Sequence, residues 1–145
     1  MSICIVGAGF VGLVTGVYFA ELGHNVVCVD QDNNKVELIN SANPPFFEPG
    51  LREKLQEVLG KTFRASADLN EAVNKSEFVF VCVGTPMQST GSIDLSYIEN
   101  LANDLADMLR DSLSLKTLVV KSTVVPGTTR SIFVEKIEQL SGKLE

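Results

Sequence analysis

Three glycines near the amino terminus have the spacing of a phosphate-binding turn. Gly7, Gly9 and Gly12 follow an apolar run at residues 3–6 and open an apolar, helix-like stretch. In a strand–turn–helix unit the first glycine permits a tight turn, the second lets a pyrophosphate approach the backbone, and the third lets the helix pack close to the strand. The start of the helix then offers free N–H groups to phosphates. These residues predict a site for a dinucleotide.

An acidic residue lies where such a site needs one. A second apolar run, residues 26–29, ends on Asp30, which is 18 residues after Gly12. At the carboxyl end of a second strand, a carboxylate can accept hydrogen bonds from the hydroxyls of an adenosine ribose. Because the same carboxylate would face a 2′-phosphate, we expect NAD rather than NADP. A purely structural glycine turn is the competing interpretation, but the strand, the helix and the acid favour dinucleotide binding.

The same stretch also has the composition of a short membrane segment. Residues 3–20 form an 18-residue run without a charge, near the lower limit for a membrane span. Four glycines within it argue against a stable membrane helix. No basic residue precedes it, so a signal peptide is not indicated either.

Composition indicates a water-soluble protein with its own core. The 145 residues are 45% hydrophobic and 21% charged, which predicts one domain over residues 1–145. The net charge is −6 and there is no basic run, which disfavours nucleic acid and anionic membranes as partners. We expect a cytoplasmic location.

The cysteines and the histidine do not suggest a metal site. Cys4, Cys28 and Cys82 fall inside predicted strands and form no C-x-x-C pair, so we expect them to be reduced and buried. His24 follows the glycine that ends the first helix, and we expect it in a surface turn. A single histidine without clustered cysteines gives no predicted metal site.

Strand and helix patterns alternate along the rest of the chain. This alternation predicts an α/β fold of the Rossmann type: a doubly wound parallel sheet in three α/β/α layers, with strand order 3-2-1-4-5. Strands are predicted at residues 3–6, 26–29, 62–65, 78–83 and 117–120.

The predicted helices have identifiable starts and inner faces. Asp32 or Asn33 is expected to cap a helix at residues 35–40, and Gly60 to stop a helix that starts at Leu51. One further helix is expected to begin after Ser66 or Asp68, and another is expected to begin after Asp94. The last helix should begin at Thr128 or Thr129. We expect its apolar residues and the loop phenylalanines to face inward: Ile132, Phe133, Ile137, Leu140, Phe46 and Phe47.

Two polar loops follow the fourth and fifth predicted strands. They are residues 84–86 and 121–123, and they contain Thr85, Ser122 and Thr123. In open parallel sheets, ligands bind beyond the carboxyl ends of the strands where the strand order reverses. These hydroxyl and N–H groups could therefore line a cofactor, and ordinary turn or capping roles are an equal alternative from spacing alone.

Taken together, these segments resemble the UDP-glucose/GDP-mannose dehydrogenase family of nucleotide-sugar 6-dehydrogenases. The resemblance runs in order through almost the whole chain. Its segments are GAGFVG (7–12), Asp30 with Lys35, PFFEPGL (45–51), VGTP (83–86), GSIDLSYIE (91–99) and KSTV (121–124). Chance agreement of the last three together is very improbable.

The resemblance implies a set of NAD-binding residues. In the family, Val11, Asp30, Lys35, Thr85 and Thr123 would contact NAD, with Lys35 joining Asp30 at the adenosine ribose. Thr123 would also help to hold a catalytic water. Phe10 stands where the family usually has tyrosine. The complete expected cofactor set is Gly7, Gly9, Phe10, Val11, Gly12, Asp30, Lys35, Val83, Thr85, Pro86, Ser122 and Thr123.

The resemblance also implies a larger parent enzyme. Family members are several times longer and carry their catalytic glutamate, lysine, asparagine and cysteine beyond this region, so we expect an excised NAD domain without activity of its own. The parent would oxidise UDP-glucose to UDP-glucuronate with two NAD, in nucleotide-sugar metabolism and polysaccharide biosynthesis, as a homodimer or larger assembly. GDP-mannose and UDP-N-acetylmannosamine are alternative substrates. A free-standing NAD-sensing regulatory domain is the alternative from another class, because it shares the pattern of residues 7–30.

Overall fold

The computed structural model describes residues 1–112 and 114–142 of the chain. Five parallel strands form one sheet in the order β3-β2-β1-β4-β5, which confirms the predicted topology. The strands are β1 (Ser2–Val6), β2 (Asn25–Val29), β3 (Phe63–Ser66), β4 (Phe78–Val81) and β5 (Thr117–Val120). The helices are α1 (Phe10–Glu21), α2 (Asn33–Asn40), α3 (Leu51–Val58), α4 (Leu69–Asn74), α5 (Ser96–Arg110), a π-helical segment (Thr129–Val134) and α6 (Glu135–Ser141).

The chain forms two compact units. The first comprises Met1–Cys82 and Lys116–Lys121, and it holds the sheet and helices α1 to α4. The second comprises Val83–Leu115 and Ser122–Glu145, and its described part holds α5, the π-helical segment and α6. The assignment of residues 1–145 to a single domain stays a prediction.

Apolar side chains cover both faces of the sheet in the first unit. Ile5 of β1 and its register partner Cys28 of β2 pack in one buried cluster with Leu13 of α1 and Leu55 of α3. Because side chains alternate along a strand, Cys4 points to the other face, where α4 packs against β1 and β2. Burial on both faces explains the nearly continuous apolar strand sequences.

Four of the five strands differ from their predicted bounds. Strands β1 and β2 each start one residue earlier than predicted, and the differences in β3 and β4 follow from their neighbours. Strand β3 starts and ends one residue later than predicted, at Phe63 and Ser66. The Asn40 side-chain amide makes two hydrogen bonds to the backbone of Ala65, at 2.9 and 3.0 Å, which holds this edge strand against the end of α2. Strand β4 stops at Val81 because β1 turns away after Val6, whose carbonyl accepts the N–H of Cys82. Cys82 therefore lies just beyond the strand in which it was predicted.

The start of α5 also differs from the prediction. Leu95, not Asp94, occupies the position before the first helical residue. The Asp94 carboxylate accepts the N–H of Ser96 at 2.9 Å, and this bond lowers the pKa of Asp94. Asp94 thus still accepts a backbone N–H at the start of α5, but it lies one residue before the cap position.

Two expected inward residues are exposed. Phe47 is 86% exposed, although its neighbour Phe46 packs against the buried cluster. Leu140 is 43% exposed, while Ile137 and Ser141 of α6 are buried. The buried residues Phe133, Ile137 and Ser141 follow one another at intervals of four residues and form one inward face, and Leu140 lies beside that face.

The free edge of β5 gives a testable prediction. Among the described strands, β5 pairs only with β4, and the N–H groups of Thr117 and Lys121 point to β4. By alternation, the N–H of Leu118 points away from β4. An unpaired, half-buried apolar edge invites pairing with another molecule, so we expect concentration-dependent self-association in analytical ultracentrifugation.

A proline variant tests whether this edge is responsible. Leu118→Pro removes an outward N–H without removing a bond to β4, which an edge strand tolerates. We expect the variant to stay folded and to associate less than the original chain. If the unsubstituted protein stays strictly monomeric at high concentration, the predicted self-association through β5 is wrong.

Candidate functional site

The glycine turn joins β1 to α1 through a very close backbone approach. Gly7 has a φ of 104°, a conformation that favours glycine, and its N–H donates to the carbonyl of Val29 at 2.7 Å. A Cβ atom on Gly12 would lie 1.8 Å from the Gly7 carbonyl oxygen. Residue 12 therefore has to be glycine if the first turn of α1 is to rest on the end of β1.

The start of α1 presents backbone donors beside open space. Gly9 precedes the first helical residue, and among the described residues no side chain caps this end of α1. The carbonyl of Gly9 accepts the N–H of Leu13, so the N–H groups of residues 10–12 precede the first bonded N–H of the helix. A Cβ atom on Gly9 would meet no described atom within 4 Å. An anion can approach this backbone, as the spacing of the glycines predicts.

Asp30 lies against this turn. Its carboxylate accepts the N–H of Ala8 at 2.9 Å through Oδ2 and the N–H of Asp32 at 3.0 Å through Oδ1. The Nζ of Lys35 lies 3.5 Å from Oδ2, and Asp32 caps α2 by accepting the N–H groups of Asn34 and Lys35. The structure thus brings the glycine turn, Asp30 and Lys35 together within the first unit.

An aromatic pair beside the turn was not expected from the sequence. The rings of Phe10 and Phe46 stack with their centroids 3.9 Å apart, and Phe46 also packs against the buried cluster. The pair ties the loop before α3 to the first residue of α1. The only sequence signal was an aromatic residue within a proline-rich loop, which gives no indication of the partner.

In the second unit, hydroxyl groups connect the two predicted ligand loops. Ser122 Oγ donates to the carbonyl of Val83 at 2.7 Å, and Thr85 Oγ1 donates to the carbonyl of Thr123 at 2.8 Å. Both hydroxyl protons are therefore donated within the protein. The contribution of this pair of loops, including Pro86, to a cofactor site stays a prediction.

The three thiols are unsuited to nucleophilic chemistry. All are free and buried, as predicted. Burial raises the pKa of Cys4 to about 12 and that of Cys82 to about 11, and it also raises the pKa of Cys28. Because the thiolate is the reactive form, these side chains serve as small apolar residues at neutral pH.

Two other site classes have no support in the described part of the chain. Residues 1–112 and 114–142 contain no group of three histidine, cysteine or acidic side chains that could hold a metal ion. His24 is half-buried in the turn after α1, with its ring centroid 6.2 Å from that of Phe19. No helix among these residues is long and apolar enough to cross a membrane.

Comparison with known proteins assigns this chain to a family. The model of the UDP-glucose/GDP-mannose dehydrogenase family, NAD binding domain, matches residues 1–145. The chain belongs to this family. NAD is accordingly the cofactor of the domain, and the open space at Gly9, the uncapped start of α1 and the carboxylate of Asp30 fit the pyrophosphate and adenosine ribose of that molecule.

Individual relatives agree with the family assignment. GDP-mannose 6-dehydrogenase of Pseudomonas syringae pv. tomato is 41% identical over 145 residues, which are 99% of this chain and 33% of that protein. A ternary complex of GDP-mannose dehydrogenase from Pseudomonas aeruginosa has a TM-score of 0.96 at 38% identity, and a UDP-glucose dehydrogenase from Pyrobaculum islandicum has 0.91 at 35%. Each structural match covers 99% of this chain and 33% of the other. The chain therefore spans about a third of the length of these relatives.

A matched pair of glycine substitutions tests the two steric roles in this domain. At Gly9 a side chain enters open space, so Gly9→Val should leave the fold intact but obstruct the pyrophosphate and abolish detectable NAD binding. At Gly12 even a methyl group meets the Gly7 carbonyl, so Gly12→Ala should destabilise the domain by about 1–3 kcal/mol or more, as overpacking does.

Thermal unfolding and calorimetric NAD titration separate these effects. The pattern expected is an unchanged Tm with lost binding for Gly9→Val and a lowered Tm for Gly12→Ala. A folded Gly9→Val variant that binds NAD normally would contradict the assignment of the turn.

Asp30 should determine the choice between NAD and NADP. Hydrogen bonds to a charged acceptor contribute about 1.5–3 kcal/mol each, and a 2′-phosphate would replace one donor by a negative charge. We expect calorimetry to show NAD binding and much weaker NADP binding. Asp30→Ala should weaken NAD binding and narrow the difference between the cofactors. Equal affinities of the unsubstituted chain for both would refute this role.

Proposed function

We propose that the full-length protein is an NAD-dependent nucleotide-sugar 6-dehydrogenase and that this chain is its cofactor-binding part. The observation that carries the proposal is the match of the family model along all 145 residues. The uncapped α1 and the Asp30 carboxylate provide independent chemical support, because they offer donors for a diphosphate and an acceptor for a ribose.

Each part of the chain has a role in this proposal. The N–H groups at the start of α1 bind the pyrophosphate, while Asp30 and Lys35 bind the adenosine ribose. By the family resemblance, Thr85 and Thr123 also contact NAD. When bound, NAD accepts the hydride from the substrate. The protein residues described here bind and orient this cofactor.

The substrate of the parent is proposed from similarity alone. UDP-glucose is the first expectation from the sequence, and GDP-mannose is the main alternative. Relatives named for GDP-mannose reach 41% identity, whereas those named for UDP-glucose reach 38%. This small difference favours GDP-mannose. The shared chemistry is oxidation of a primary alcohol at C6 of a nucleotide-linked hexose to a carboxylate.

The substrate is best assigned by assaying the full-length protein with both nucleotide sugars. We expect NADH formation with GDP-mannose to exceed that with UDP-glucose, with two NADH formed for each carboxylate. Absence of turnover with GDP-mannose, UDP-glucose and UDP-N-acetylmannosamine would contradict the enzyme proposal and favour a regulatory NAD sensor.

We also propose, from the family resemblance, that the parent is cytoplasmic and forms a homodimer or larger assembly.

The isolated chain should bind NAD without catalysing oxidation. The reaction needs a nucleophilic thiolate and a base against the sugar C6, and all three thiols here are buried with raised pKa values. Absorbance at the NADH band should stay constant when the chain is mixed with NAD and either sugar nucleotide.

Cysteine variants provide the control for this experiment. Each of Cys4→Ser, Cys28→Ser and Cys82→Ser places a hydroxyl in an apolar site, so each substitution should lower the free energy of unfolding by about 1–3 kcal/mol without changing activity. Sustained turnover that disappears in one of these variants would show that the chemistry resides in this chain.

A further inference from the structure

The carboxylate expected to recognise the ribose also holds the glycine turn. Asp30 Oδ2 accepts the N–H of Ala8, the residue between Gly7 and Gly9, at 2.9 Å. The Asp30 side chain is only 10% exposed and Ala8 is 1% exposed. This is a charge-assisted bond away from bulk water, the stronger class of protein hydrogen bond.

The end of β2 therefore restrains the turn at two successive residues. The N–H of Gly7 donates to the Val29 carbonyl, and the N–H of Ala8 donates to the Asp30 carboxylate. Immediately after Ala8, Gly9 exposes its backbone to open space and α1 begins. The Asp32 N–H fixes the other carboxylate oxygen at 3.0 Å, so the acceptor itself is held in place.

We propose that Asp30 is a positioning residue for the pyrophosphate turn, in addition to its role at the ribose. The inference rests on the cofactor role of the glycine turn. The carboxylate holds Ala8 so that the next residue, Gly9, and the first N–H groups of α1 keep the arrangement that receives a diphosphate. Asp30 should thus strengthen the binding of a diphosphate ligand that carries no ribose hydroxyls.

Simple electrostatics predicts the opposite effect. A carboxylate near a diphosphate repels it, so removing the charge of Asp30 should tighten the binding of an anion that makes no hydrogen bond to it. Removing a positioning group should weaken that binding. The sign of the change therefore distinguishes the two roles.

The first test uses the ligand-free protein. The Ala8 amide is followed by ¹H–¹⁵N NMR and hydrogen exchange in the unsubstituted chain, in Asp30→Ala and in Asp30→Asn. Loss of the carboxylate should shift the Ala8 amide proton upfield and accelerate its exchange about tenfold or more, as expected for loss of a bond to a charged acceptor. Asp30→Asn, which keeps one acceptor oxygen, should give an intermediate change.

A charge-matched control lies in the same unit. Asp68 caps α4 by accepting the N–H of Glu71 at 2.8 Å. Asp68→Ala removes the same charge and a similar backbone bond, and it should leave the Ala8 amide unchanged. An Ala8 amide that is also unchanged in folded Asp30→Ala, or in Asp30→Asn if the alanine variant does not fold, would overturn the proposal.

The second test compares ADP with 2′,3′-dideoxy-ADP, which lacks both ribose hydroxyls. Positioning predicts that Asp30→Ala weakens both ligands, and dideoxy-ADP about fivefold or more. Unchanged or tighter binding of dideoxy-ADP by this variant would overturn the proposal. Failure of the unsubstituted chain to bind ADP would contradict the cofactor function instead, and the ligand-free NMR result would still decide the role of Asp30.

Discussion

The close approach of α1 to the end of β1 is the constraint on which the site depends. Helix α1 can rest there only because residue 12 has no side chain. A Cβ atom at this position would lie 1.8 Å from the Gly7 carbonyl oxygen, which leaves no room for adjustment. This approach brings the start of the helix to the edge of the sheet. The turn that leads into this helix end lies against Asp30, which follows the neighbouring strand and accepts the N–H of Ala8.

An anion site in an acidic chain requires local rather than global attraction. The chain carries a net charge of −6, so its overall field does not favour a dinucleotide. Backbone N–H groups at the start of α1 supply attraction at short range, where the helix dipole acts. Lys35 places one cation beside the Asp30 carboxylate, at 3.5 Å. The Asp30 carboxylate is largely buried and accepts the N–H groups of Ala8 and Asp32, so its negative charge is engaged in local hydrogen bonds.

The same burial that stabilises the sheet makes its thiols unreactive. Cys4 and Cys28 occupy opposite sides of a sheet whose faces are both covered, and desolvation raises the pKa of each. A parallel sheet of this kind needs apolar residues at nearly every strand position. The described residues belong to an NAD-binding domain, and the chain spans about a third of the length of its relatives.

The sequence by itself determined the local features of this protein. Glycine spacing, the acid after the second apolar run and the alternation of strands with helices depend on short-range patterns, and they predicted the turn, Asp30 and the strand order. Tertiary structure alone decided which distant groups meet. The bond from Ala8 to Asp30, the stack of Phe10 on Phe46 and the bond from Ser122 to Val83 each join residues more than 20 positions apart. No local pattern specifies such partners, because they are selected by packing between elements.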